Sequence, residues 1–171
     1  VDRKVATRAV RYLEECKLPT GAYAYDHSVV PWVGGESIND VKGSLGRMQV
    51  SNVARRRAKD PKLTDEEIRK GLQSFFDEHR FLDATRMKPV PHESWYYNAA
   101  YFYFFGHYHA ALAIEELPVA EREAWHQKLR AELVKVQWPD GSSLDFPNLS
   151  CMRIAGTSFS ILALQAGVRS G

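Results

Sequence analysis

The stretch KLRAELVKVQWPDGSS, residues 128–143, closes a helical pattern with a Gln-Trp pair, a proline and a glycine turn. Apolar residues at steps of three and four mark one helix face ahead of that closure: Trp125, Leu129, Leu133 and Val136. Two other stretches, KLPTGAYAYD at 17–26 and HRFLDATRMK at 79–88, also follow amphipathic helical patterns. A chain that ends three helices in such similar ways is expected to contain a structural repeat.

Each amphipathic pattern is followed by a loop and then by a more uniformly apolar segment. The apolar segments cover about residues 41–58, 94–115 and 152–166. Helices that are apolar on all sides are buried, whereas amphipathic helices lie on the outside. The sequence therefore predicts an all-α fold of six helices in three hairpins, with amphipathic outer and apolar inner helices. The repeats cover about 1–60, 61–117 and 118–171 of a single domain, 1–171, and any strand pair is confined to residues 21–40.

Local signals agree with these helices. Thr64 followed by Glu67 is a capping box, which predicts the start of the second outer helix. Gly106 and Gly156 each stand six residues before a Leu-Ala pair in the last two inner helices. A glycine there lets a neighbouring helix approach closely, because it has no side chain. The core is expected to include equivalent residues of the three outer helices: Leu13, Phe75 and Leu133.

The closures of the first and third outer helices are similar to a known motif. RAVRYLEECKLPTGAY, residues 8–23, and the quoted stretch 128–143 each combine a basic residue, an aliphatic residue near the helix end and a turn glycine. This pattern resembles the QW repeat of the terpenoid cyclase and protein prenyltransferase superfamily. AGTSFSILAL, residues 155–164, resembles the inner helix that follows such a motif. The family usually has Trp where Ser143 stands, and Gln where Lys17 and His79 stand.

The resemblance implies an α/α toroid, in which outer helices surround inner helices and a cavity opens at one end of the inner ring. It also implies structural roles for Gln137, Gly141, Gly21 and Tyr23. A closed ring takes roughly a dozen helices, and this chain supplies half of them. We therefore expect either a fragment of a longer protein, which we favour, or an open arc. The open edges would be covered by the remaining repeats or by self-association.

Two functions are compatible with the resemblance. The first is a squalene cyclase-like α-toroid repeat module of unassigned activity that binds a ligand or partner at the loop end of its inner helices. The alternative is part of a terpenoid cyclase- or prenyltransferase-like enzyme whose catalytic motif lies outside this chain. Class II terpene cyclases use a DxDD acid motif, and the nearest string here, around Asp40, has a single carboxylate. No catalytic residue is assigned, and whether the chain is an enzyme stays open.

Composition and spacing argue against metal and nucleic-acid binding. The formal net charge of +2 is too small to indicate a nucleic-acid partner. Two cysteines, Cys16 and Cys151, make neither a disulfide framework nor a paired metal motif. His107 and His109 are two residues apart, which is about 200° around a helix, so one face cannot present both to a metal. We expect no metal and no cofactor.

The most membrane-like stretch is SWYYNAAYFYFFGHYHAALAI, residues 94–114. It is long enough to span a bilayer, but it contains Asn98 and two histidines, and its bulk is aromatic rather than aliphatic. We expect a buried helix there and no transmembrane segment.

The segment PHESWYYNAAYFYF, residues 91–104, combines flat apolar faces with polar tips, which suits a sugar, a prenyl chain or a peptide. The loops after the outer helices should meet there, where inner-helix N-termini add amide donors and partial positive charge. We therefore predict a small-molecule, glycan or peptide site at that end, formed by a candidate set of six residues: His92, Glu93, Trp95, Tyr96, Asp145 and Arg153. The alternative is that these loops only cover the helix ends, with Asp145 and Arg153 neutralising each other.

The first inner helix is unusual in carrying polar residues, Arg47, Gln49 and Asn52, where the other inner helices are apolar. This pattern indicates either a helix that borders a wet cavity or an exposed edge.

Overall fold

A computed structural model describes residues 2–25 and 35–169. Its helices are α1 (Arg3–Cys16), α2 (Leu45–Arg57), α3 (Asp65–Asp77), α4 (Arg80–Asp83), α5 (Phe102–Glu115), α6 (Val119–Lys135) and α7 (Cys151–Arg169), with 3-10 turns at Val41–Gly43 and Trp95–Tyr97. Within the described ranges, the only strand-like pairing is one isolated bridge between Lys17 and Tyr23. The predicted all-α fold is confirmed. Residues 26–34, which belong to the segment where a strand pair was left open, lie outside the described residues.

The second inner helix starts later than the sequence predicted. We expected a helix over 94–115, but α5 begins at Phe102. Tyr96 and Tyr97 have positive φ, and Asn98 is extended (φ −64°, ψ 154°), so the backbone cannot continue as a helix there. The aromatic segment before α5 is consequently a structured loop rather than a helix end.

The six long helices form two layers. Helix α5 packs against both α2 and α7, and these three helices form the inner layer. Helix α3 packs on α2 and α5, α6 packs on α5 and α7, and α1 packs on α2. Three connections lead from the outer layer to the inner one: the first loop (described for residues 17–25 and 35–44), the second loop (84–101) and the third loop (136–150).

Glycines allow the inner helices to lie close together, as predicted. A Cβ added to Gly106 would stand 3.3 Å from the Cα of Gly46 and 3.4 Å from the ring of Phe75. A Cβ added to Gly156 would stand 2.7 Å from the carbonyl oxygen of Ser143 and 2.9 Å from the ring of Phe104. The backbones of α2 and α5 therefore meet at a glycine pair, and α7 lies directly against the third loop and α5.

The core confirms two of the three equivalent outer-helix positions. Phe75 and Leu133 are buried in the main hydrophobic cluster. The prediction for Leu13 is wrong, because that side chain is only partly buried. Among the described helices α1 packs mainly on α2, and its Val5 and Tyr12 side chains are about half exposed.

Helix α7 differs from a buried inner helix. The side that packs against the protein carries small residues: Gly156, Ser160, Ala163 and Gly167. The opposite side is an uncharged exposed stripe, here called the α7 stripe, at alternating steps of three and four: Cys151, Ile154, Ser158, Ile161, Gln165 and Val168. The expectation that all inner helices are buried therefore holds for α5 and is wrong for α7, because no described helix covers this side.

By length and composition, α7 is the one candidate membrane span in the described part of the chain. The window Cys151–Val168 has a mean hydropathy of 1.2, and 22% of it is buried in the protein. One such helix is weak evidence, since core helices of many proteins pass the same test. Of the aromatic stretch 94–114, by contrast, the part from Phe102 onward forms a largely buried helix, as predicted, and the part before it is the loop described above.

The polar residues of the first inner helix are mostly internal. Gln49 is fully buried and its side-chain amide donates to the carbonyl oxygens of Leu45 and Gly71. Arg47 donates to backbone carbonyls of the first loop, including that of Ile38 at 2.5 Å. The exposed-edge interpretation is wrong for these two residues, because their side chains donate to carbonyl oxygens of the first loop and of α3, although Arg47 Nε has no partner among the described residues. Asn52 borders a cavity.

Candidate ligand site at the loop end

The loops converge at the end where the inner helices begin. The second and third loops are joined by a hydrogen bond from the Met87 amide to the Asp145 carbonyl at 2.6 Å. Asn148 adds a side-chain bond to the Pro89 carbonyl, also at 2.6 Å. This junction places the aromatic second loop beside the start of α7.

The first and second loops are also joined. The Tyr96 amide donates to a carboxylate oxygen of Glu36 at 3.2 Å, and the Asn98 side chain donates to the Lys42 carbonyl at 2.9 Å. The ammonium group of Lys42 lies 5.1 Å from the ring centre of Tyr96 and 5.0 Å from the ring centre of Phe81. The same group donates a hydrogen bond to the Tyr96 hydroxyl at 3.3 Å. Lys42 therefore holds two aromatic rings together through cation–π contacts.

Four non-glycine residues of the second loop have a left-handed backbone. The φ angles are 68° for Met87, 62° for His92, 57° for Tyr96 and 52° for Tyr97. Each such residue costs roughly 1–2 kcal/mol, so surrounding contacts must hold it in place. Such residues concentrate at functional sites, which makes this loop the most notable backbone feature of the chain.

The ring of His92 supplies part of that restraint. Its Nδ1 lies 2.5 Å from the carbonyl oxygen of Tyr97, so Nδ1 carries the ring proton and donates. Its Nε2 then accepts from the hydroxyl of Tyr101 at 3.1 Å. Burial raises the pKa of Tyr101, which keeps that hydroxyl protonated. His92 thus fixes the curve of the second loop from within.

Trp95 is the exposed part of this arrangement. Its side chain is 61% exposed, and its ring lies edge-on to Phe81 with centroids 6.0 Å apart. It borders a cavity of about 390 Å³, here called the loop-end cavity, whose other lining residues are Ala84, Lys88, Glu93 and Ser94. The cavity therefore combines an indole face with one cation and one carboxylate. Of the six candidate residues, Glu93 and Trp95 line this cavity, while His92 and Tyr96 belong to the same loop but do not line it.

Asp145 lies apart from the loop-end cavity. It is 1% exposed, and its Oδ2 accepts a hydrogen bond from the Phe104 amide at 3.3 Å, in the first turn of α5. Its Oδ1 has no hydrogen-bond partner among the described residues. Burial raises the pKa of Asp145 to about 6, although nearby amide donors oppose the shift. The side chain caps the start of an inner helix rather than lining the cavity.

Arg153 also has a different neighbourhood from the one expected. Its guanidinium lies 4.3 Å from the ring centre of Trp138 and donates to Asp140 at 3.1 Å and to the Ser142 hydroxyl at 3.0 Å. These contacts brace the glycine turn of the third loop. The alternative in which Asp145 and Arg153 neutralise each other is wrong, because Arg153 pairs with Asp140 instead.

A polar cluster between α4 and α6 was not predicted from the sequence. His79 Nδ1 lies 3.2 Å from Asp83 and 3.5 Å from Glu132, while Lys135 lies 3.2 Å and 3.1 Å from the same two carboxylate oxygens. The i,i+4 spacing of His79 and Asp83 and the i,i+3 spacing of Glu132 and Lys135 were the available signals. A ring nitrogen of His79 and one carboxylate oxygen each of Asp83 and Glu132 could bind a metal ion, and these three atoms lie within 4.8 Å of one another.

His79 also contacts the buried His107. The two Nε2 atoms are 2.9 Å apart, and His107 Nδ1 lies 2.7 Å from the carbonyl oxygen of Tyr103. The carbonyl is an acceptor only, so His107 carries its proton on Nδ1 and accepts from His79 through Nε2. Burial lowers the pKa of His107 to about 3, which keeps this ring neutral at physiological pH. The expectation of no metal rested on His107 and His109 and does not cover the His79 cluster.

The fold and the loop-end geometry define an all-helical protein with an aromatic, partly charged cavity at one end. Comparisons with protein-family models, with curated proteins and with solved structures found no match to this chain.

Proposed function

We propose that this chain is a squalene cyclase-like helical-repeat module that binds a ligand at the loop-end cavity. The observation that supports the proposal is the exposed indole of Trp95, held beside that cavity by a loop with four left-handed residues. Strained backbone clusters at functional sites, and an exposed indole offers a ligand a flat apolar face. A flat apolar face flanked by Lys88 and Glu93 suits a sugar ring or a peptide side chain with polar groups at its edge.

Substitution of Trp95 tests this proposal. We expect Trp95→Ala to weaken binding to a glycan and peptide panel while the melting temperature stays unchanged, because the side chain is mostly exposed. Trp138→Ala is the matched control: it removes an indole from the third loop, where it stacks on Arg153, so stability should fall and binding should stay. If Trp95→Ala lowers the melting temperature and no panel member binds the wild type, the second loop serves packing only.

We also propose that the two helix layers are an arc of an α/α toroid. The support is the order of the layers, with α5 between α2 and α7 inside and α3 and α6 outside. The alternative, a cyclase- or prenyltransferase-like enzyme with its catalytic motif outside this chain, would be supported by an acidic DxDD-type motif in further repeats. Reading the full-length gene for such a motif distinguishes the two.

Self-association at the α7 stripe is a second function, favoured by its spacing. Residues at alternating steps of three and four line the contact surface between two packed helices. The α7 stripe has no charged residue, so no charge repulsion opposes its packing against the same stripe of a second chain. It runs over about 26 Å of helix. We propose that a second copy of this chain covers it in a symmetric pair.

A further inference from the structure

A second cavity, here called the α2–α3 cavity, lies between the first loop and helices α2 and α3. It has a volume of about 370 Å³, and none of its lining residues lines the loop-end cavity. Its walls include Leu18, Met48, Asn52, Lys70 and Gly71. The volume falls within the range of small-molecule sites in proteins.

A chain of buried hydrogen bonds ends at this cavity. Asp60 accepts from Arg55 Nε at 2.6 Å, and Arg55 Nη1 donates to the hydroxyl oxygen of Tyr23 at 2.9 Å. The Tyr23 hydroxyl lies 2.9 Å from Asn52 Oδ1. All four residues are less than one-tenth exposed. A network this fully buried and connected holds its members in one orientation.

The donors in that chain fix its direction. Arginine can only donate, so the Tyr23 oxygen must accept from Arg55. Burial raises the pKa of Tyr23, so its hydroxyl keeps its proton and donates that proton to Asn52 Oδ1. The amide of Asn52 therefore cannot flip without losing this bond, and its NH2 group points away from Tyr23.

Gly71 leaves the NH2 group of Asn52 accessible from the cavity. A Cβ at Gly71 would stand 2.9 Å from Asn52 Nδ2, and Gly71 itself lines the cavity. Among the described residues Nδ2 makes no hydrogen bond, whereas Oδ1 accepts from Tyr23. An amide donor that is free beside a cavity can bond an acceptor atom of a ligand.

The rim adds positive charge and an apolar wall. Lys17 pairs with Glu67, but the Lys70 ammonium is largely exposed and has only a long contact of 3.8 Å to Glu66. Leu18 and Met48 provide apolar surface beside the amide. A negatively charged oxygen bound to Asn52 would therefore also be attracted by the ammonium group of Lys70.

We propose that the α2–α3 cavity binds a small organic carboxylate, whose oxygen accepts from Asn52 Nδ2 and whose apolar part packs on Leu18 and Met48. The Asp60–Arg55–Tyr23 chain positions the asparagine, and Lys70 attracts the carboxylate. This site goes beyond the proposed function, since it shares no lining residue with the loop-end cavity.

Titration with benzoate, followed by the side-chain amide signal of Asn52 in a nitrogen–proton NMR spectrum, tests the proposal. We expect saturable shifts of that signal with benzoate and none with benzylamine, which matches it in shape but is a cation without an acceptor. Lys70→Glu should weaken benzoate binding about fivefold, the effect of reversing an exposed charge. Lys88→Glu, the same reversal at the loop-end cavity, should leave the affinity unchanged.

Two further variants examine the amide directly. Gly71→Ala should abolish the shifts, because its Cβ would displace Asn52 Nδ2. Asn52→Asp keeps an acceptor for Tyr23 and should abolish binding by repelling the carboxylate. If either variant fails to fold, the comparison of Lys70→Glu with Lys88→Glu still tests the proposal. The proposal is overturned if benzoate gives no saturable shift, if benzylamine shifts the signal equally, or if Lys70→Glu and Lys88→Glu bind alike.

Discussion

The carboxylate of Asp145 caps α5 from the third loop, accepting from the backbone amide of Phe104 at 3.3 Å. One oxygen is bonded and the other has no partner among the described residues, in a side chain that is 1% exposed. The helix N-terminus favours the charged carboxylate, but removal from water disfavours it more, which is why its pKa rises to about 6.

This pKa predicts a pH-dependent contribution to stability. In the unfolded chain Asp145 titrates near its ordinary pKa of 3.8, so between pH 4 and 6 the folded state binds more protons. The contribution of Asp145 to the free energy of unfolding is therefore greatest below pH 4 and falls as the pH rises to 6. Above pH 6 this contribution is about 3 kcal/mol lower than below pH 4. We expect Asp145→Asn to remove this decline, measured by urea unfolding at pH 4.5 and 7.5.

Asp140→Asn is the control for that measurement. Asp140 is an exposed carboxylate whose pKa is lowered by hydrogen bonds to Ser142 and by the charge of Arg153, so its contribution has the opposite sign. It stabilises the fold at neutral pH, and the effect is lost as pH falls through the lowered pKa. An Asp145→Asn variant with the same pH profile as the wild type would show that the buried carboxyl does not titrate as described.

Core truncation distinguishes the outer helices. Leu133 is 2% exposed in the main cluster, so Leu133→Ala should lower the free energy of unfolding by roughly 2–5 kcal/mol. Leu13→Ala removes the same atoms from a partly buried position on α1 and should have a clearly smaller effect. Chemical denaturation of both variants measures the difference. Equal losses would mean that α1 is packed as tightly as α6.

How far the sequence predicted this structure depends on the range of the interaction. Helical period placed Phe75 and Leu133 in the core correctly, because a 3.6-residue repeat is a local property. The contacts of Tyr96 with Glu36 and Lys42 join residues 60 and 54 positions apart, and no local pattern encodes them. The left-handed backbone of the second loop was unexpected for the same reason, since aromatic residues rarely adopt it without such long-range restraint.

The candidate site residues also divide into those placed by local sequence and those placed by long-range contacts. His92, Trp95 and Tyr96 are neighbours in sequence and therefore belong to one loop, where His92 bonds the Tyr97 carbonyl and Trp95 contacts Phe81. Asp145 and Arg153 are also at the loop end in sequence, but their partners depend on the path of the third loop around Gly141. That path turns Arg153 toward Trp138 and buries Asp145 over α5. Ligand binding at the loop-end cavity itself stays a prediction.

The His79 cluster predicts how a lysine controls metal binding. The ammonium of Lys135 contacts the same oxygens of Asp83 and Glu132 that could bind a cation beside His79. We therefore expect the wild type to hold no stoichiometric zinc, because Lys135 neutralises the two carboxylates. Lys135→Met should gain zinc affinity, since one histidine and two carboxylates within 4.8 Å suit that ion.

Competition with a chromophoric chelator measures this difference. Lys128→Met, a lysine seven residues earlier on α6 that contacts Trp125 instead of the cluster, is the matched control. Purification of the wild type with one zinc per chain would contradict the prediction, as would equal zinc affinity of the two methionine variants.

The α7 stripe predicts a concentration-dependent dimer. Ile161 lies near the middle of the stripe and is 50% exposed, so in a symmetric pair it would face the equivalent region of the second copy. Ile161→Glu places a charge in the contact surface between the two copies and should keep the protein monomeric, because an unpaired buried charge opposes association.

Val5→Glu makes the same kind of change on α1, at a side chain 46% exposed and away from the stripe, and should leave association intact. Sedimentation equilibrium measures both, with the wild-type mass expected to rise from 19.5 kDa toward twice that value with concentration. A wild type that remains monomeric throughout the range, or two glutamate variants that dissociate equally, would mean that a second copy does not cover this stripe.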